Sequence, residues 1–261
     1  TSYIFYVCYY VYLLNCNAMW YSRYILLVSG IFSVLISSLV SAIPLGFYNQ
    51  EVSALYPTFI TPAAFTFSIW GLIYLTWIAY IYEAFFAKTS LDSKNAYLLA
   101  SAQIISSFWL IPSQYLYIAT SLIVMYVVLY ILSLNFVLSR NENKYFKYML
   151  DLFLGWIIVA SLANTHLFLV AKDMYFSPLV LTVLSLVGGT FVVLYLYKKY
   201  LSVIPSFVLI WALFGIIFSD KPAVIDQVSA LCILTIVVLV VSNEKLLNRI
   251  MRKSNLENPQ K

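Results

Sequence analysis

Apolar residues run along this chain in long blocks, not in stripes. Beyond Met19 eight blocks stand out, at about 24–45, 63–87, 96–111, 115–139, 147–171, 176–197, 201–219 and 223–242. Each approaches the roughly 20 residues a helix needs to cross the hydrocarbon core of a bilayer, the third and seventh being short. In lipid the backbone must satisfy its own hydrogen bonds, so such segments are expected to be helices. The connections are short and leave no room for a soluble domain. The expected fold is all-α: a polytopic membrane helix bundle of about eight transmembrane helices.

The same pattern divides the chain. The stretch "SYIFYVCYYVYLL" (2–14) is apolar over only 13 residues, too short to span a bilayer upright. Residues 1–18 are therefore read as an N-terminal extension, a truncated preceding segment or an interfacial piece. They carry no basic n-region and no small-residue cleavage site, so they do not read as a signal peptide. Five of the blocks fall within 19–171 and the remaining three within 172–243. Residues 244–261 form a basic tail suited to a membrane surface of anionic lipid.

Charge adds an orientation. Of the 261 residues 63% are hydrophobic and only 10% charged, where a soluble domain would carry about a quarter. The net charge of +5 sits in short clusters between apolar blocks. Lipid is thus the expected partner, and nucleic acid is not. With eight passes, 13 of the 15 Lys and Arg fall on one side, among them Arg23, Lys94, Arg140, Lys144 and Lys198. Only Lys172 and Lys221 fall on the other. This bias predicts both termini in the cytoplasm, in the cell membrane. The cysteines Cys8, Cys16 and Cys232 show no metal-binding spacing, and Cys232 reads as a small buried hydrophobe.

Two stretches carry candidate chemistry. In "TPAAFTFSIWGLIYLTW" (61–77), Phe67, Trp70, Tyr74 and Trp77 fall at i, i+3, i+7 and i+10, which makes one helical face aromatic. Pro62 suits the start of that helix, where its missing N–H is no loss. Trp70 lies about 12 Å down the helix, too deep for an interfacial anchor. In "LGWIIVASLANTH" (154–166), Trp156, Ala160 and Asn164 are spaced by four and share a face. Asn164 and His166 are polar side chains inside the expected bilayer, where such groups need a partner or a cavity. Asn164 and Trp70 are expected at one depth below the outer surface. The connection 46–62, "GFYNQEVSALYPTFITP", has Glu51 as its only charge. It reads either as a lid over an aromatic cavity or as a loop packed on helix ends.

These residues resemble the tryptophan-rich sensory protein / translocator protein family, also called the peripheral benzodiazepine receptor family. Pro62, Phe65, Phe67, Trp70 and Tyr74 look like the Pro-Pro-x-Trp-Val-Phe…Trp-x-x-Leu-Tyr pattern that opens its second helix. Trp156, Ala160 and Asn164 match the Trp-x-x-x-Ala-x-x-x-Asn pattern of its fifth. The resemblance covers about 23–171 and looks closer to a longer, divergent branch. The chain departs from the pattern in having one proline, and Ala64 or Phe65 where the family has an early Trp. The resemblance implies a five-helix bundle with an outer cavity, closed by the first loop, for tetrapyrroles such as porphyrin or haem and for sterol-like ligands.

The site residues expected on these grounds are Pro62, Phe65, Trp70, Tyr74, Trp109, Trp156, Ala160 and Asn164. Aromatics would stack on a flat ligand and Asn164 would orient it, with Pro62 and Phe65 at the mouth. No cofactor is obligatory on this reading; a porphyrin or haem would be a ligand, and a homodimer is a further expected partner. His166 reads better as a hydrogen-bonding side chain than as a haem ligand, and nothing clusters with it at metal-ligand spacing. Glu83 and Asp151 read as a solvated interfacial pair, and Gln103 and Asn135 as hydrogen bonds between helices. No nucleophile triad, phosphate loop or carboxylate pair is present, so the chain is not expected to be an enzyme. The expected function is binding, sensing or transport of a hydrophobic aromatic small molecule near the outer face. The alternatives are an ion- or proton-coupled secondary transporter and a non-catalytic scaffold subunit.

Overall fold

The computed structural model describes residues 2–86, 92–139, 141–174 and 177–242, with side chains from residue 21 onward. Its helices are α1 (Ser2–Ala42), α2 (Asn49–Leu55), α3 (Ile69–Phe86), α4 (Ser93–Ser107), α5 (Leu110–Gln114), α6 (Ile118–Leu138), α7 (Lys144–Ala171), α8 (Pro178–Tyr200), α9 (Ile204–Ile217) and α10 (Ala223–Val241). A short 3₁₀ helix, Ala64–Ser68, leads into α3. The expected basic tail 244–261 lies outside the described residues, and of the expected extension 1–18 only the α1 backbone is described, helical from Ser2.

Among the described residues, seven stretches are long and apolar enough to cross a membrane: Tyr21–Ala42, Ala64–Phe86, Ser93–Gln114, Ile118–Leu138, Lys144–Ala171, Pro178–Tyr200 and Ala223–Val241. They match seven of the eight expected segments. The exception is the seventh, expected over 201–219. Its helix α9 has 14 residues, so it is only about 21 Å long at 1.5 Å per residue.

The contacts between elements give the layout. Helix α1 packs on α4, α4 on α6, α6 on α7, α7 on α3 and α3 back on α1, which closes a five-helix ring. Helix α9 lies against α7 outside that ring, and α8 and α10 pack on α9. Helix α7 is therefore enclosed from both sides, and Met149–Val159 are buried without a break. Gly155 permits the close approach of α9: a Cβ there would stand 3.0 Å from Pro205 Cα and 3.1 Å from Val208 Cβ. Polar side chains join the ring helices. Ser29 Oγ of α1 donates to Gln103 Oε1 of α4 at 2.8 Å, and Asn135 Nδ2 of α6 donates to the Asn95 carbonyl at 3.0 Å. Such bonds satisfy groups that lipid would leave unpaired.

Helix α9 is short because other segments meet both of its ends. At one end Ser202 Oγ donates to Asp151 Oδ2 of α7 at 2.6 Å. Asp151 is buried and bonded, not part of a solvated pair with Glu83 as its sequence position suggests. At the other end residues 58–63 fold down onto the helix terminus. The Ala63 N–H donates to the Gly215 carbonyl at 2.8 Å, and Lys221 Nζ donates to the Thr58 carbonyl at 2.9 Å. The chain thus still runs from one end of the bundle to the other through α9. The eight passes leave Arg23, Lys94, Lys144, Lys147, Lys198 and Lys199 at one end, against Lys172 and Lys221 at the other, among the described residues. Arg23 is nonetheless buried, near Tyr80.

Candidate functional site

The second pass does not begin as a regular α-helix at Pro62. It winds first through the 3₁₀ helix Ala64–Ser68, which turns about 120° per residue, and becomes α-helical only at Ile69. Winding this way sends Phe65 and Phe67 in different directions. Phe67 meets Trp156 of α7 edge-to-face at 5.6 Å. Phe65 instead packs on Trp211 of α9 at 5.5 Å and Phe218 at 6.2 Å. The Trp211 indole N–H also donates to the Thr66 carbonyl at 2.9 Å.

Past the junction the aromatic face continues. Trp70 lies 6.5 Å from Trp156, 5.9 Å from Phe153 and 6.0 Å from Tyr74, centroid to centroid. The Tyr74 hydroxyl lies beside Ser33 and Ser37 of α1, where α3 packs on that helix. Trp77, one turn further in, is packing: its ring lies where a Cβ on Gly30 would come within 2.0 Å. The aromatic stripe thus splits into a packing end and a cavity end.

The cavity occupies about 650 Å³, within the usual range for small-molecule sites. Seven of the eight expected residues line it: Pro62, Trp70, Tyr74, Trp109, Trp156, Ala160 and Asn164. Phe65 does not, because the 3₁₀ winding turns it to α9. Asn164 is held in place: Nδ2 donates to the Ala160 carbonyl at 2.9 Å, and Ser121 Oγ lies 3.5 Å from Oδ1. His166, two residues on, lies outside the lining and pairs through Nε2 with Ser185 Oγ of α8 at 2.8 Å. Among the described residues no cluster of three or more His, Cys, Asp or Glu is placed to hold a metal.

The lining also includes residues the sequence reading passed over. Ser37, Ser38 and Ser41 of α1 form one wall, and Asn49, Gln50 and Ser53 of α2 lie across the mouth. A signal for the wall was available, since Ser29, Ser33, Ser37 and Ser41 recur every four residues in an apolar helix. No charged side chain is among the described residues that line the cavity.

Helix α2 sits in the 46–62 connection, anchored on both sides. Glu51 Oε2 accepts from the Tyr48 N–H at 2.6 Å and fixes its first turn. On the α1 side, Gln114 Oε1 accepts from the Leu45 N–H at 2.9 Å and its Nε2 donates to the Val40 carbonyl at 2.9 Å. The Phe47 N–H donates to the Gln114 carbonyl at 3.0 Å. A Cβ on Gly46 would stand 2.4 Å from that carbonyl oxygen, so the approach requires glycine. On the other side α9 and Lys221 hold residues 58–66. Burial lowers the pKa of Lys221 below the ordinary lysine value, while Asp220 acts in the opposite sense.

Comparison with curated proteins and with solved structures gives no match. A family model described as TSPO-like protein matches residues 23–243. The match begins within α1 and ends just past α10, so it takes in the last three helices as well as the stretch of 23–171 where the motif resemblance was read. It covers most of the chain, and the chain belongs to the TSPO-like protein family.

Proposed function

We propose that this membrane protein binds a hydrophobic, polycyclic small molecule, tetrapyrrole- or sterol-like, between α1, α3 and α7, in order to sense or move it. The observation that carries the reading is the convergence of Phe67, Trp70 and Trp156 on a single chamber beneath α2. Edge-to-face aromatic groups of this kind offer ring faces and edges to a flat ligand. The bias of the basic residues supports cytoplasmic termini in the cell membrane, and with them a cavity that opens at the outer face. No catalytic step is assigned to it.

The test is a titration of the purified full chain in lipid nanodiscs with a panel of porphyrins and sterols. Intrinsic Trp fluorescence is followed beside a Trp70→Leu variant. Saturable quenching that the substitution weakens, with helicity intact, supports the reading. No saturable response to any member of the panel sinks it.

One observation favours coupling to protons as a second reading: Asp151 is buried at 8% exposure, and Ser202 Oγ donates to it. Intramembrane carboxylates mark proton paths in many transporters. Under that reading Asp151→Asn abolishes pH-gradient-driven uptake into proteoliposomes while leaving ligand binding intact. Uptake indifferent to the gradient rejects it.

A further inference from the structure

We infer that the cavity selects an uncharged polycyclic ligand with hydrogen-bonding groups along one edge, and discriminates against carboxylate-bearing rings of the same shape. The inference rests on the binding reading above and narrows its ligand class.

The cavity has two unlike walls. One is aromatic, built from Phe67, Trp70 and Trp156. The other is hydroxyl- and amide-bearing: Ser37, Ser38 and Ser41 of α1, continued over the mouth by Asn49 and Ser53 of α2. Hydroxyls and amides both donate and accept, so they serve alcohols, carbonyls and ring N–H groups alike. They do not neutralise a charge.

The ionic groups near the mouth offer no substitute. The Lys221 ammonium is committed to the Thr58 carbonyl at 2.9 Å. Lys172 is exposed at the end of α7, eight residues and about 12 Å beyond Asn164. Glu51, on the lid helix itself, carries the sign that repels an anion, and its Oε2 already caps the Tyr48 N–H. A carboxylate drawn into this chamber loses its water and gains no cation. A neutral ring system loses little, because its edge finds the serine wall and its faces find the aromatic one.

Two probes separate shape from charge: protoporphyrin IX, with two propionates, and its dimethyl ester, the same ring without charge. Each is titrated into the full chain in nanodiscs at pH 7.5, against protein-free nanodiscs, with Trp quenching as the readout. The ester is expected to bind at least about tenfold more tightly than the diacid. Lowering the pH toward the carboxyl pKa is expected to narrow that gap. A Ser41→Lys variant, which puts a cation in place of one wall hydroxyl near the outer end of α1, is expected to raise diacid affinity and to lower that of the ester, so that the preference shrinks or reverses. Diacid binding equal to or tighter than the ester in the unmodified chain overturns the inference and leaves the cavity as a binding site. Failure of both probes and of the sterols to saturate overturns the binding reading and this inference together.

Discussion

Gly215 is where α9 touches the cavity-forming segment most closely, and Gly215→Ala tests whether that contact is real. A Cβ there would stand 1.9 Å from Thr66 Oγ1, 2.9 Å from Pro62 Cβ and 3.0 Å from Thr66 Cβ. Reaching ordinary contact with the hydroxyl, near 3.4 Å, requires about 1.5 Å of movement. Rotating Thr66 about χ1 does not provide it, because a methyl or hydrogen then faces the same point and the Cβ stays close. The backbone of 62–66 must move instead. Movement stretches the Ala63 N–H bond to the Gly215 carbonyl and the Trp211 bond to the Thr66 carbonyl. Overpacking costs about 1–3 kcal/mol and one weakened buried hydrogen bond about 1 kcal/mol, so the expected loss is about 2–4 kcal/mol. An SDS-unfolding titration reads it directly. Pro62 and Phe67 shift with the segment, so ligand affinity should fall as well. Thr66→Ala supplies the control, because Thr66 Oγ1 has no hydrogen-bond partner and its removal alone should cost little. In the double variant part of the lost stability should return, as a coupling of about 1 kcal/mol, because the 1.9 Å contact is gone while the Cβ atoms of Pro62 and residue 66 stay near. A neutral Gly215→Ala, or additive effects of the two changes, would refute the packing described.

Four other outcomes are expected. Trp70→Leu should weaken a saturating flat ligand roughly three- to tenfold without loss of helicity, as one aromatic contact is worth about 0.5–1.5 kcal/mol; fluorescence titration measures it. Gln114→Leu removes the bonds to Leu45 and Val40, and amide hydrogen exchange over 45–47 should speed up while α6 stays protected. Single cysteines replacing Lys172 and Lys221 should react with an impermeant maleimide from one side of a sealed vesicle, and one replacing Lys94 only from the other. Lys221 is driven toward its neutral form by burial, so the unfolded chain binds more protons between its lowered pKa and the ordinary 10.5. Stability should therefore rise with pH across that window, and Lys221→Met should remove the rise in an unfolding titration.

Much of this architecture was legible because lipid leaves few choices. An apolar block of some 20 residues has to be a helix, and seven of the eight blocks are long helices at nearly the expected positions. The meeting of Trp70 with Trp156 was legible from depth alone, since both fall at one level of antiparallel passes. The 3₁₀ winding of Ala64–Ser68 was not. It depends on Trp211 and Gly215, some 150 residues away, and it turned Phe65 out of the cavity. The shortness of α9 has the same origin, because the 58–63 segment fills the space a longer helix would take. The burial of Asp151 was hidden for a related reason: Lys147 nearby suggests water, but Ser202 and α9 close over the carboxylate. The serine wall needed no tertiary information. Its period of four stood in the sequence, but serine is common in membrane helices and carries little signal alone.

The grip of α9 on residues 58–66 also sets an order of events during synthesis. Four bonds fasten this segment, Ser219 Oγ to the Thr61 carbonyl joining the three already described, and they link residues 145, 152, 158 and 163 positions apart. At about 5–20 residues per second, the ribosome delivers the later partner roughly 7–33 s after the earlier one. The contacts that close the ring all join helices that precede α8 in the chain. The ring can therefore close in a nascent chain before the 61–68 corner is fixed, and the C-terminal third sets that corner, with Phe67 in it, last.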